Sequence, residues 1–140
     1  MPPIFRRTSV PIALVALWDF STTVLGVATI MEANTDAAYL VAFVAAMVFT
    51  GTLFLTGAFG SRMPMPLVPV WLTAFVLDLY TSLVGHVALF LNKPFEQTLG
   101  NIWDSLGSMD ASQTAIVLAA SLGVAASTIV LSLIVFKREW

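Results

Sequence analysis

Two aspartates and one histidine are the residues of this chain that could do chemistry inside a bilayer. Asp19 opens the stretch Asp19-Phe20-Ser21-Thr22-Thr23-Val24-Leu25-Gly26, and Asp78 opens Asp78-Leu79-Tyr80-Thr81-Ser82-Leu83-Val84-Gly85. Both copies read D-x-x-T-[ST]-x-x-G. On a helix, the hydroxyls and the glycine of each copy fall on the same face as its Asp. His86 is the only histidine, eight residues after Asp78 and nearly on the same face.

A carboxyl group in hydrocarbon asks for an explanation, because burial disfavours its charged form unless it is paired. No Lys or Arg lies within any of the four long apolar runs. The remaining partners are water, a bound proton or Na+, and His86. A line of Asp, hydroxyl and His suits the holding of water and the passing of protons. The same groups suit inter-helix hydrogen bonds, worth about 0.6 to 2 kcal/mol each in membranes. The candidate ion or proton pathway is therefore Asp19, Thr22, Thr23, Asp78, Thr81, Ser82 and His86, with a structural role as the competing reading. One imidazole supplies no ligand set, so neither a metal nor a cofactor is expected.

Composition places these residues in a membrane. The chain has 140 residues, of which 59% are hydrophobic and 10% charged, and its mean hydropathy is +0.93. A net charge of -2 gives no footing for nucleic acid. There is no cysteine, which removes disulfides and thiolate metal sites. No nucleophile-and-base constellation or phosphate loop is present. The longest segment between spans, about twenty residues, is too short for a soluble catalytic domain, so an enzyme is not expected.

The elements that must position the motifs are four transmembrane helices in a single domain over 1–140, with spans at about 9–31, 37–59, 67–91 and 112–136, each near the ~20 residues that cross a bilayer. Asp19 and the lack of a small-x-small cleavage site argue against reading the first run as a signal peptide. Thr8 or Ser9 is the expected N-cap of the first helix, with Pro11 in its first turn. The second helix carries small residues at Ala42, Ala46 and Thr50, and the fourth carries the stripe Ala115, Ala119, Gly123, Ser127. Together with Gly26 and Gly85, these are the expected sites of close helix packing, within the bundle or across a subunit interface. Between the third and fourth spans, Phe95, Leu99, Ile102, Trp103 and Leu106 repeat with helical period, which predicts a short amphipathic helix in the interface anchored by Trp103.

Charges in the connections set an orientation. With both termini cytoplasmic, Arg6, Arg7, Arg62, Lys137 and Arg138 lie inside and only Lys93 lies outside. The two Asp motifs then sit on parallel helices at matching depth. The segments 9–59 and 67–136 read as two parallel repeats, an arrangement used by transporter folds that bind at the midplane. The expected fold is an all-α four-helix bundle in the plasma (inner) membrane. The expected function is a proton- or cation-linked transporter or channel-like oligomer using the paired aspartates. The alternative is a non-catalytic accessory or assembly subunit of a larger membrane complex.

Overall fold

The apolar runs all form helices in the computed structural model of the protein, which describes residues 3–91 and 102–136, and the side chains of 10–91 and 102–136. The elements are α1 (Pro3–Ile30), α2 (Asp36–Leu53), α3 (Leu55–Phe59), a 3₁₀ turn (Gly60–Arg62), α4 (Leu67–Phe90), α5 (Ile102–Gly107) and α6 (Ala111–Val135). Among the described residues there is no strand. Four helical stretches are long and apolar enough to cross a membrane: Val10–Ile30, Asp36–Arg62, Leu67–Phe90 and Ala111–Val135.

Three element ends differ from the sequence expectation. Helix α1 begins at Pro3, so Thr8 and Ser9 lie within it and Pro11 sits in its interior. Proline at the start suits a first helical turn, and Pro11 then costs the helix one backbone donor. The second span is divided at Phe54, where α2 gives way to α3. Just before the break, the Thr52 hydroxyl donates back to the Val48 carbonyl, a bond that competes with the helical ladder and bends helices. The amphipathic pattern between the third and fourth spans is described only from Ile102, so Phe95 and Leu99 lie outside the described residues. Within α5, Ile102 is buried while Trp103 is 76% exposed.

Capping holds the two ascending connections. The Thr35 hydroxyl accepts from the Ala38 N–H at the start of α2. Asp110 and Gln113 form a reciprocal capping box at the start of α6. The Asp110 carboxyl is held below the ordinary range of an aspartate by the Gln113 N–H and the Ser112 hydroxyl.

Packing turns the usual soluble pattern inside out. The interior holds Asp19, Thr22, Thr23, Asp78, Ser82, Ser121, Thr128 and Ser132, whereas Leu14, Leu17, Leu40, Leu72, Val76, Ile116 and Leu122 are exposed. An apolar exterior around a hydrogen-bonded polar interior is what a lipid solvent requires. Helix α1 packs against α2, α4 and α6, and α4 likewise touches α1, α2 and α6. Apolar clusters close both sides of this centre. Val84, Val87 and Ala88 of α4 meet Ile102, Met109 and Val117, and Val27 and Ala28 of α1 meet Ala33 and Ala42.

The contact between α1 and α4 is set by two glycines. A Cβ built on Gly26 would fall 1.7 Å from the Thr81 carbonyl oxygen, and one on Gly85 would fall 2.1 Å from that of Thr22. The glycine of each motif copy thus lies on the threonine backbone of the other, a reciprocal arrangement that only the absence of a side chain permits. A third close approach, Gly57 against the Ser132 carbonyl at 2.1 Å, seats α3 on α6. Gly51 and Gly123 face open space.

These environments predict opposite signs for one substitution. Gly26→Ala and Gly85→Ala force backbone apart and should destabilise the bundle by about 1–3 kcal/mol. Gly123→Ala should be neutral or stabilising by up to about 1 kcal/mol, through helix propensity alone. Thermal unfolding in detergent followed by circular dichroism checks the ordering; equal shifts at all three positions would contradict the crossing.

Candidate functional site

The crossing brings the two aspartates together in the middle of the bundle. Asp19 of α1 and Asp78 of α4 are both 0% exposed, and the bonds that cross between the same two helices, Thr22 with Ser82 and Thr23 with Asp78, place their carboxyl groups in one buried region. Each has one oxygen supplied with a hydroxyl donor from a neighbouring helix. The Thr128 hydroxyl of α6 donates to Asp19 Oδ2 at 2.7 Å, and the Thr23 hydroxyl of α1 donates to Asp78 Oδ1 at 3.0 Å. The other oxygen of each, Asp19 Oδ1 and Asp78 Oδ2, is buried without a donor. Among the described residues there is no cluster of three or more side chains suited to a metal ion.

From this pair a polar seam climbs toward the C-terminal end of α4. The Thr22 and Ser82 hydroxyls are 3.0 Å apart, and Thr22 also donates to the Asp19 carbonyl. Next comes His86, whose Nδ1 lies 2.8 Å from the Ser82 carbonyl and 3.3 Å from the Ser121 hydroxyl of α6. Its Nε2 lies 3.1 Å from Nε1 of Trp18. An indole nitrogen can only donate, so Nε2 accepts and the hydrogen of the neutral ring sits on Nδ1, donating to Ser82. Histidine, serine and threonine thus run from His86 to the backbone carbonyl of Asp19, beside the buried carboxyl groups.

The sequence candidates fall into four groups in space. Asp19, Thr22, Thr23, Asp78, Ser82 and His86 meet in the seam. Thr81 is buried beside it but gives its hydroxyl to the Leu77 and Asp78 carbonyls, and its backbone is the seat of Gly26. Ala115, Ala119 and Gly123 face outward from α6, with Ser127 partly buried. Trp103 stands on the surface beside α5.

Three contributors were missed from sequence: Thr128, Ser121 and Trp18. The hydroxyls Ser121, Thr128 and Ser132 recur at a spacing of seven and then four residues, a single helical face, and all three are buried. That face, rather than the small-residue stripe, is the one α6 turns inward. Helix α2 offers a different lining, with Ala42, Ala46 and Leu53 as its buried residues. The seam is accordingly built from α1, α4 and α6, and α2 closes it with apolar surface.

Comparison with known proteins finds no matching family model, curated protein or solved structure. The class rests on the chain itself. Four helices able to span a bilayer, carrying an apolar exterior around buried carboxyl groups, define an integral membrane protein.

The ring assignment is open to direct measurement. In ¹⁵N-histidine-labelled protein at neutral pH, His86 should give the resonances of a neutral imidazole protonated at Nδ1. Trp18→Phe, which removes the donor to Nε2, should shift the Nε2 resonance most. A spectrum with the hydrogen on Nε2 would contradict the Trp18 contact.

Proposed function

We propose that this protein is a small proton- or cation-linked transporter or channel-like oligomer, in which Asp19 and Asp78 bind the ion midway across the membrane. The observation that carries the reading is the burial of two carboxyl groups on adjoining helices with no Lys or Arg beside them among the described residues. A purely structural aspartate is satisfied by its neighbours, whereas here each carboxyl keeps one oxygen without a donor. An intramembrane ionisable residue that faces the bundle interior marks an ion or proton route. The Thr22, Ser82 and His86 groups extend the route toward one surface.

The charge bias of the connections supports cytoplasmic termini and insertion in the plasma (inner) membrane. In that orientation His86 stands on the outer side of the carboxyl pair. Four spans enclose little volume, which favours action as a homo-oligomer. The chemistry is binding and passage of an ion, not catalysis.

A second reading, an accessory subunit of a larger membrane complex, is favoured by the outward face of α6. Ala115, Ala119 and Gly123 are exposed there, and nothing lies within 4 Å of a Cβ on Gly123. Such a smooth face admits a neighbouring helix at short range.

Proteoliposomes carrying a trapped pH indicator separate the two. The transport reading expects flux under a pH or Na+ gradient that is lost in Asp19→Asn and Asp78→Asn while both variants still insert. Absence of flux under every gradient, with recovery alongside other polypeptides in mild detergent, would overturn it in favour of the subunit reading.

A further inference from the structure

The oxygen inventory at the pair narrows the ion. We propose that Asp19 and Asp78 hold one proton between them, and that the ion handled by the site is H+ rather than Na+; the second half of this statement rests on the transport reading above.

Four carboxyl oxygens meet at the centre of the bundle, and two of them accept from Thr128 and Thr23. The two that remain, Asp19 Oδ1 and Asp78 Oδ2, belong one to each residue. A single proton on either one makes a donor for the other carboxyl and removes both vacancies at once. With no proton, two like charges would lie buried together on adjoining helices, an arrangement carboxyl pairs avoid by sharing one. With two protons, the second O–H finds no vacant oxygen and must share one that already accepts from a threonine hydroxyl. One proton is the count that closes the inventory.

Sodium fits this inventory poorly. A hard cation gathers about six oxygen ligands, and here only two oxygens are uncommitted. The nearby hydroxyls are engaged: Thr22 with Ser82 and the Asp19 carbonyl, Thr81 with the Leu77 and Asp78 carbonyls. The helices cannot separate to admit water without breaking the backbone contacts at Gly26 and Gly85. The charged and titratable groups around the pair also leave it to the proton. His86 lies further along the seam, bonded to Ser82, Ser121 and Trp18. The described part of α6 carries none, and α2 carries only Asp36 and Tyr39, in its first turn.

Infrared spectroscopy counts the protons directly. Protein labelled with [4-¹³C]aspartate, reconstituted at pH 7, should show the C=O stretch of a protonated carboxylic acid with the amplitude of one group per chain. Asp36, Asp104 and Asp110 are exposed, and their bands are removed by subtracting the spectrum of the Asp19→Asn/Asp78→Asn variant. The band should move on exchange into D₂O and should be unchanged when NaCl replaces choline chloride. It should be absent from Asp19→Asn/Asp78→Asn; the isotope shift assigns it to aspartate even if that variant fails to fold. An amplitude of two groups, no band, or a band that falls with added Na+ would each overturn the shared proton, whatever the flux assay gives. Loss of flux with the one-proton band intact would instead overturn the transport reading alone.

Discussion

Two carboxyl groups buried on adjoining helices, with no Lys or Arg beside them among the described residues, are the constraint on which this bundle depends. They meet because α1 and α4 approach to backbone contact, and they approach because each carries a glycine where the other carries a threonine backbone. Packing of this kind is how helices associate in lipid, where apolar side chains gain nothing by leaving one hydrocarbon for another. The D-x-x-T-[ST]-x-x-G spelling joins the two roles. Its glycine sets the distance between helices, and its Asp and hydroxyls occupy the space that distance defines.

The site is only partly two-fold. Around the crossing, the motif copies exchange equivalent contacts, Gly26 on Thr81 and Gly85 on Thr22. The flanking helices break the equivalence. Helix α6 turns a row of hydroxyls inward and supplies Thr128 to Asp19, while α2 turns inward alanines and a leucine. Asp78 is left to take its donor from Thr23 of α1. The same asymmetry places His86, a feature of the second copy alone, between α4 and α6 rather than beside α2. A symmetric frame thus carries a polar seam on one side, which gives the buried pair a connection toward one end of the bundle.

Much of this was legible in the sequence because lipid imposes strong patterns. Four apolar runs of spanning length gave the helices, and the carboxyl groups within them gave the centre of the site. Equal depth of Asp19 and Asp78 followed from their places on parallel helices, but not that both face one interior. The rest was hidden for physical reasons. Thr128 and Ser121 look like any helical hydroxyls until the rotation of α6 is known, and rotation depends on which face meets α1 and α4. The stripe Ala115, Ala119, Gly123 was the stronger pattern on that helix, yet it faces outward. Small residues are compatible with either surface, whereas a row of hydroxyls in hydrocarbon needs the interior. Trp18 gave no signal as the partner of His86, since an apolar aromatic in a span is ordinarily lipid-facing. The break at Phe54 is a local event that hydrophobic periodicity does not register.

The meeting of the two motif copies within one chain is the central claim, and a cross-link tests it most directly. The Thr22 and Ser82 hydroxyls are 3.0 Å apart, and the chain has no cysteine of its own. Thr22→Cys/Ser82→Cys should therefore oxidise in the membrane to a disulfide within a single chain, detected as a shift in non-reducing electrophoresis and by the linked peptides. Failure to form that bond, or bonds formed only between chains, would contradict the crossing and the buried carboxyl pair that rests on it.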